Sequence, residues 1–330
     1  MLDILFFSSD IEDYLADSLL HGLKNLKDVN VTDYPKVEIM YRNHNGKYPV
    51  RGKGFSLYHL LQDDSARRYG ISEKIFLKKY DLVIFSSIHR QFGFLLQFYP
   101  FLDSKKTIII DGEDSPSIFP YQGQYWRNPR FWFLPRVHKK FVYYKRELTP
   151  ETLSYRYYKL LPVFFAKFLP IPKNLRKIAF SIPEEKIVEK LPAKNKLFAR
   201  HIVDPEVARF IGNSSTSYVF DTEKDYYNDI QASKFAVTTK RSGWDCMRHY
   251  EIAANGAVPC FRDLDKKPET CAPHGLNPSN SISYSSYSDL MSKIEKISEE
   301  SYVKLQSGAL EWARRNTTKM RAKQLLESFL

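Results

Sequence analysis

The stretch from Lys234 to Asp263, KFAVTTKRSGWDCMRHYEIAANGAVPCFRD, contains the pattern that decides the fold. It opens with an apolar run, Phe235 to Thr239, which predicts a buried strand. Gly243 permits a tight backbone turn, and a helix is predicted from Trp244 to Asn255, ending just before Gly256. A second apolar run follows directly. Strand, helix and strand in this order form the repeating unit of a parallel sheet.

The turn between this strand and this helix has the chemistry of a diphosphate site. The first N–H groups of a helix have no intrahelical acceptor, and the helix dipole favours an anion there. Lys240 and Arg241 stand beside the turn, and Arg248 and Glu251 follow on one helix face. Such a face presents a cation to phosphate and a carboxylate to ribose hydroxyls. The competing interpretation makes Arg248 and Glu251 an i,i+3 pair that slightly stabilises the helix.

The whole pattern resembles the donor-binding segment of GT-B glycosyltransferases, closest to exostosin-like and polysaccharide-biosynthesis members. The shared features are basic-Ser-Gly after the strand, then Trp-Asp-x-x-Arg-x-Tyr-Glu and Asn-Gly-x-x-Pro, preceded by the Tyr226 to Lys234 lead-in. The resemblance implies transfer of a sugar from a nucleotide sugar to a hydroxyl group of a glycan or glycolipid. It also implies that Glu251 holds the donor's ribose or sugar, while Arg248 and the Gly243 turn face the diphosphate.

Arg200, near the end of the first strand of the second half, is a further candidate for a donor phosphate, with a surface salt bridge as the alternative. The candidate donor-binding residues are therefore Arg200, Lys240, Arg241, Ser242, Gly243, Trp244, Arg248 and Glu251. One departure matters. Retaining members of the family carry two glutamates eight positions apart, and the first would fall at Gly243. Asp245 is the nearest acid, so retention or inversion stays open.

The rest of the chain extends the alternation of strands and helices in both directions. Strand-like runs are predicted at 3–9, 37–41, 80–86, 106–110, 140–144, 197–202, 218–220, 235–239, 257–261 and 282–284. Helix-length segments lie between them, and a long closing helix is expected over 300–329. The predicted fold class is α/β of the GT-B type, with two facing, doubly wound Rossmann-like domains and a ligand cleft between them.

Prolines concentrated from Pro162 to Pro192 predict the linker between the two domains. We expect an acceptor-side domain over 1–165, a linker over 166–192 and a nucleotide-sugar-binding domain over 193–310. A C-terminal helix over 311–330 is expected to pack back toward the first domain.

Candidates for a catalytic base lie after the strands of the first half. Asp111 and Glu113 follow one predicted strand, His89 follows another and Asp10 follows the first. An inverting transferase needs one such group near the acceptor hydroxyl. The alternative for each is a cap or loop role, and Asp10 is suited to cap the first helix. Since GT-B enzymes generally work without a bound metal, we predict none, and no cofactor beyond the donor substrate.

Nearly all of the net charge of +12 belongs to one segment. From Trp126 to Lys177 there are 13 Lys and Arg residues against two acids, interleaved with aromatic residues. This composition suits contact with an anionic membrane or an anionic acceptor, such as a lipid-linked glycan. The alternative is a solvated basic face over an aromatic core. No nucleic-acid partner is expected, although a nucleic-acid-binding module remains the competing function.

Several other classes are disfavoured by the sequence. The chain shows no signal peptide and no apolar run long enough to span a bilayer, so a cytoplasmic protein is expected. Cys246, Cys260 and Cys271 have no metal-site spacing and are expected to be ordinary thiols. The absence of a GxGxxG sequence argues against a Rossmann oxidoreductase. A GT-B sugar-nucleotide epimerase, with water as acceptor, is the remaining enzymatic alternative.

Overall fold

The computed structural model describes residues 1–9, 11–43, 54–63, 68–121, 134–157, 162–166, 168–212, 214–217 and 219–329. The strands in these ranges are β1 Leu2–Phe7, β2 Val29–Tyr34, β3 Leu82–Phe85, β4 Thr107–Asp111, β5 Val142–Lys145, β6 Leu175–Lys177, β7 Lys196–Phe198, β8 Ser233–Thr238, β9 Val258–Arg262 and β10 Ile282–Tyr284. The α-helices are α1 Tyr14–Lys24, α2 Ile71–Phe76, α3 Ile88–Phe98, α4 Val137–Lys140, α5 Pro150–Tyr157, α6 Val163–Ala166, α7 Pro205–Phe210, α8 Glu223–Ala232, α9 Met247–Ala254, α10 Tyr287–Glu295, α11 Glu299–Arg315 and α12 Thr318–Phe329.

The first sheet has six strands in the order β2-β1-β3-β4-β5-β6, and all neighbouring pairs are parallel. Its strands β1, β3 and β4 are apolar on both faces, as the interior of a sheet covered by two helix layers requires. In β1, Ile4 and Phe6 join the apolar cluster on one face, whereas Leu5 and Phe7 join the cluster on the other. All residues of β4 are buried.

The second sheet has four parallel strands in the order β10-β9-β8-β7. It too is covered on both faces, because Phe235 and Val237 of β8 belong to one apolar cluster and Ala236 to another. The central strand β9, which includes Pro259, pairs with β8 and β10.

The chain ends on the first half of the molecule, where α12 packs against α1. The contact depends on Gly22, since a Cβ added there would lie 2.0 Å from the carbonyl oxygen of Thr318. His21 Nδ1 also lies 2.8 Å from Thr318 Oγ1. The closing helix therefore braces the helix layer of the six-stranded sheet.

The predicted strand over 37–41 is wrong, because this segment forms a 3₁₀ helix, Glu38–Met40, and the second strand comes earlier. The buried Asp33 carboxylate explains the difference. It accepts hydrogen bonds from the Val37 N–H (3.0 Å) and from the Tyr41 hydroxyl (2.8 Å), which closes a turn. These side-chain bonds replace the sheet bonds that the apolar composition suggested.

The single closing helix expected over 300–329 is two helices, α11 and α12. Ile182 causes the break, because its N–H donates to the Asn316 carbonyl (3.1 Å) and its carbonyl accepts from the Thr318 N–H (2.9 Å). These are backbone groups that a continuous helix would use internally. The expected strand over 218–220 is also absent at Val219 and Phe220, while position 218 lies outside the described residues.

The first sheet extends into the segment from which the prolines predicted only a linker. β6 lies at Leu175–Lys177 and pairs with β5 through Tyr143, Tyr144 and Lys145. In the part of the chain that the structure describes, no helix combines the length and the apolar character needed to cross a bilayer.

Candidate functional site

The carboxyl ends of the two sheets meet through two residues that follow β5. Glu147 reaches from the first half to the segment between β8 and α9, where its Oε1 accepts from the N–H groups of Trp244 (3.0 Å) and Asp245 (3.4 Å). Its Oε2 accepts from Cys271 Sγ (3.0 Å). Glu147 is therefore a buried bridge between the two halves.

Arg146 forms the second part of this bridge and is fully buried. Its guanidinium donates to the carbonyls of Gly112 (2.9 Å) and Asp245 (2.8 Å) and to the Asp114 carboxylate, and lies 3.2 Å from Glu147. Burial alone would lower the pKa of Arg146, but the surrounding carboxylates raise it. Arg146 thus stays charged inside the interface between the halves.

The linker joins the same network. The Phe180 N–H donates to Asp245 Oδ2 (2.8 Å), and the Arg146 guanidinium lies 4.8 Å from the centre of the Phe180 ring. From the sequence, a position facing the cleft and a position on the surface are equally compatible with Arg146 and Glu147. The only available signal was their position after a predicted strand.

This bridge corrects the predicted start of the donor-site helix. The helix begins at Met247, not at Trp244, because the Trp244 and Asp245 N–H groups bind Glu147. Those two groups are consequently not available to a diphosphate in this arrangement. Gly243 also packs against the bridge, since a Cβ there would lie 2.6 Å from both Glu147 Oε1 and Asp114 Oδ1. A glutamate at position 243 would not fit.

Three basic residues gather at the carboxyl ends of β7 and β8. His201 follows β7 and is buried, and its Nδ1 lies 3.2 Å from the Ser217 carbonyl. Burial lowers the pKa of His201 to about 4, assisted by the positive charges of Arg248 and Arg241. Arg248, on α9, points Nη1 toward Thr238 Oγ1 at the end of β8 (3.5 Å). Arg241 and Arg248 are the cationic cluster of the second half, and the neutral His201 lies beside them.

Glu251 lies one turn after Arg248 on α9 and receives a hydroxyl group on each oxygen. Oε1 accepts from Ser56 (2.6 Å), which comes from the opposite half, and Oε2 accepts from Tyr226 (2.9 Å). Burial raises the pKa of Glu251 although both hydrogen bonds oppose the shift. Two hydroxyl donors on one carboxylate is the pattern expected for a ribose diol, but here protein side chains supply them.

The contact with Ser56 belongs to a short segment, Gly54 to Tyr58, that reaches across to α8 and α9. The Ser56 hydroxyl lies 2.6 Å from the Tyr227 hydroxyl, and its N–H donates to Glu223 Oε2 (2.7 Å). The Phe55 ring stacks against Tyr226 with centroids 5.9 Å apart. Ser56 has a φ of 78°. No local signal in the sequence identifies this contact, because Ser56 and Glu251 are 195 residues apart.

The remaining donor-side candidates are more exposed. Lys240 Nζ lies 4.9 Å from the centre of the Trp244 ring, and Ser242 is at the surface. Arg200 is exposed and stacks near Phe220 (5.9 Å), while its N–H donates to Asp229. The pocket beside Arg200, of about 560 Å³, also contains acidic side chains. The structure therefore places Arg241, Arg248 and Glu251 in one region and Arg200 at its edge.

On the first half, Asp111 is buried and already engaged. Its carboxylate binds Lys145 Nζ (2.8 Å), His89 Nε2 (3.2 Å) and the Tyr143 hydroxyl. Burial opposes ionisation, but Lys145 and His89 hold the pKa of Asp111 well below its usual range. An ion-paired carboxylate of such low basicity is poorly suited to remove a proton at neutral pH.

Glu113 lies beside Asp111 and has a half-buried carboxylate. Its backbone is fixed, because its N–H donates to Asp111 Oδ1 (3.1 Å) and its carbonyl accepts from Lys145 (3.1 Å). Within the described residues, neither a hydrogen bond nor an ion pair engages its side chain. The structure thus gathers Asp111, Glu113 and His89, whereas Asp10 lies outside the described residues. Asp13, not Asp10, caps α1 by accepting from the Ala16 N–H (3.1 Å).

Cys246 precedes α9 and differs from the other two cysteines. Its Sγ lies 3.4 Å from His249 Nε2 and 3.8 Å from Arg248 Nη1. Burial opposes the thiolate, yet the charges of His249 and Arg248 lower the pKa of Cys246 to about 7. Burial raises the pKa of Cys260 and Cys271. All three are free thiols, and Cys246 departs from an ordinary thiol only in its lowered pKa.

We expect iodoacetamide to modify Cys246 first, with a rate that rises through about pH 7, because the thiolate is the nucleophile. Peptide mass spectrometry at a series of pH values measures this rate. Arg248→Gln removes one of the two cations and should move the midpoint toward more alkaline pH. A midpoint near the ordinary thiol value of 9.0 in the wild type would contradict the assignment.

Comparison with known proteins supports the architecture. No protein-family model matches the chain, and no curated protein sequence matches it. Among solved structures, a glycosyltransferase from Rickettsia africae is 10% identical, with a TM-score of 0.56, over 99% of this chain and 97% of that chain. HepE of Anabaena in complex with UDP is 9% identical, with a TM-score of 0.56, over 99% of both chains.

HepE in complex with UDP and glucose gives a similar result, with 11% identity and a TM-score of 0.54 over 99% of both chains. Identities this low support a shared fold and no more. The predicted fold class, two Rossmann-like domains of the GT-B type as in these glycosyltransferase structures, is confirmed.

Proposed function

We propose that the protein transfers a sugar from a nucleotide-sugar donor to a hydroxyl group of a glycan or glycolipid. The observation that carries this proposal is the pairing of the cationic cluster with Glu251 on α9. A diphosphate requires cations and a ribose requires a hydroxyl acceptor, and Arg248 and Glu251 offer both within one helical turn. The shared fold with UDP-bound HepE supports placing the nucleotide there.

A separate side chain carries out each part of this reaction. Arg241 and Arg248 hold the diphosphate and stabilise the negative charge that develops as the bond between the sugar and the phosphate breaks. Glu251 accepts hydrogen bonds from the ribose. Glu113 removes the proton of the acceptor hydroxyl, whose oxygen forms the new bond to the anomeric carbon. Asp111, bound to Lys145, positions the backbone of Glu113.

The proposal includes hexosyl transfer without a bound metal, since arginine cations supply the charge on the diphosphate that a metal would otherwise provide. The acceptor proposed is a glycan, free or lipid-linked, and not a nucleic acid. The basic and aromatic segment before the linker supports an acceptor with an anionic or membrane-bound part.

The test is calorimetric titration with UDP, GDP, CDP, CMP, ADP and dTDP, beginning with UDP because HepE was solved with it. We expect one nucleoside diphosphate to bind and Arg248→Gln to weaken its binding by about tenfold, the effect of one charge-assisted hydrogen bond. The matched control is Arg209→Gln, an exposed arginine on α7. The bound nucleotide should also slow alkylation of Cys246, which lies against Arg248.

Two results would overturn the proposal. One is the absence of nucleotide binding together with salt-sensitive binding of an oligonucleotide, which would favour the nucleic-acid alternative. The other is binding that Arg248→Gln and Arg209→Gln weaken equally, because the cationic cluster would then not hold the phosphates.

A further inference from the structure

A second pocket is lined by residues of both halves, and none of the residues that line it belongs to the cationic cluster. Its volume is about 480 Å³. It lies between the β5 and β6 strands of the first sheet, helix α12 and the 270–274 loop of the second half. The lining residues are Tyr144, Leu148, Ile171, Leu175, Arg176, Lys177, Ile178, Thr270, His274, Arg321, Gln324, Leu325 and Ser328. The proposed transfer reaction uses none of them.

Three of the lining side chains are cations, and none of the described residues that line the pocket is acidic. Arg176 donates to the Tyr144 hydroxyl (3.3 Å) and to the Ser328 carbonyl. Arg321 donates to Gln324 Oε1 (2.8 Å) and Asn316 Oδ1 (2.7 Å). Within the described residues no carboxylate pairs with Arg176, Lys177 or Arg321. Cations concentrated without a counter-charge predict an anionic ligand.

His274 shows that these positive charges converge on the pocket. Burial is the largest cause that lowers the pKa of His274 to about 3, and the charges of Lys177 and Arg321 contribute to the same shift. Its two ring nitrogens are buried, and a hydrogen bond with the Cys271 backbone opposes the shift of its pKa. The loop is fixed from behind, because Trp312 Nε1 donates to the His274 carbonyl (2.7 Å). A neutral imidazole in this position can donate one hydrogen bond to an anion.

The other wall of the pocket is apolar. Leu148, Leu175, Ile178 and Leu325 form it and are buried. Ile171 continues this wall to the surface, where it is 42% exposed. Three exposed phenylalanines, Phe164, Phe165 and Phe168, precede it in the chain. The ring of Phe164 contacts the rings of the other two edge-on. A soluble phosphate would use the cations and leave this apolar wall without a partner.

We propose that this pocket binds the phosphate group of a lipid, with the cations on the phosphate and the apolar wall against the first part of the acyl or prenyl chain. The exposed phenylalanines then lie at the membrane surface, where aromatic side chains and basic residues bind anionic lipids. This site is separate from the nucleotide site. It does not depend on the proposed transfer reaction.

The test compares the binding of three probes by calorimetry: dihexanoyl phosphatidic acid, dihexanoyl phosphatidylcholine and inorganic phosphate. Both lipids are used below their critical micelle concentrations. We expect phosphatidic acid to bind most tightly. Lys177→Gln should weaken its binding by about tenfold, as loss of one charge-assisted contact predicts. Lys173→Gln, an exposed lysine outside the pocket, is the matched control. Neither variant should change the affinity for UDP, which separates this site from the proposed donor site.

Three outcomes would overturn the proposal. Equal binding of phosphatidic acid and inorganic phosphate would mean a soluble anion, without a role for the apolar wall. Equal binding of phosphatidylcholine and phosphatidic acid would mean that the cations do not recognise the phosphate. If Lys177→Gln and Lys173→Gln lower the affinity for phosphatidic acid equally, the lipid binds elsewhere on the basic surface.

A second measurement does not depend on any substitution. Nuclear magnetic resonance of the histidine side chains reports the pKa of His274, which lies well below that of an exposed histidine. Phosphatidic acid in the pocket brings negative charge against the cations, so the pKa of His274 should rise on binding. A His274 titration unchanged by saturating phosphatidic acid would also overturn the proposal.

Discussion

Arg146→Met should lower the free energy of unfolding by about 3 to 5 kcal/mol, the cost of breaking a buried ion pair by removing one partner. The substitution leaves the buried Glu147 carboxylate without its nearest cation, and the carbonyls of Gly112 and Asp245 lose their donor. Methionine keeps the aliphatic stem but lacks the guanidinium, so the contact of that group with the Phe180 ring (4.8 Å) is lost as well. Urea denaturation followed by circular dichroism measures the change.

Arg136→Met is the control for Arg146→Met. Arg136 is an exposed arginine in the same basic segment and should change the free energy of unfolding by less than about 0.5 kcal/mol. If the two variants unfold at the same urea concentration, Arg146 does not stabilise the interface between the halves. Following the same urea denaturation by Trp fluorescence as well as by circular dichroism shows whether the halves separate before either one unfolds.

Glu251→Ala should weaken nucleoside diphosphate binding by about 100-fold, since two charge-assisted hydrogen bonds to the ribose are lost. Ser56→Ala should act in the opposite direction. Its hydroxyl occupies Glu251 Oε1 (2.6 Å) in the structure, so a ribose must first displace it. Removing this competitor should tighten nucleotide binding by about tenfold, the net effect of one hydrogen bond to a charged group. Calorimetric titration with UDP measures both changes.

Ser292→Ala, an exposed serine on α10, is the control and should leave the affinity unchanged. The pair of variants separates two roles for Glu251. If Glu251 is only an anchor for Ser56, then Ser56→Ala lowers the melting temperature and leaves the nucleotide affinity as it was. That result would remove Glu251 from the donor site while keeping the cationic cluster in it.

Strands with a strong apolar pattern could be predicted from the sequence. β4 and β9 consist almost entirely of buried residues between helix-covered faces, and the sequence pattern marks such runs directly. β6, Leu175–Lys177, could not be predicted, because three residues with two cations have no strand signal. It forms because β5 offers a paired edge, with the Tyr143 N–H donating to the Asn174 carbonyl (2.7 Å).

The candidate site, too, contains residues whose placement the sequence predicts and residues whose placement it does not. Arg248 and Glu251 could be placed on one face because helical spacing is a local property of the chain. The basic segment was harder to interpret, because its aromatic residues lie in two different environments. Tyr143 and Tyr144 are core residues, whereas Phe164 and Phe168 are exposed. The aromatic and basic composition is the same in both parts, so composition could not distinguish them.

Most of the strands, the turn at Gly243 and the face of α9 could be predicted, since each depends on residues close together in the chain. The contacts of Glu147 with the Trp244 N–H and of Ser56 with Glu251 are visible only in the folded molecule. These partners are separated by 97 and 195 residues, respectively. At such distances a contact depends on how the two sheets pack, and a glutamate or serine carries no local signal of the partner it will meet.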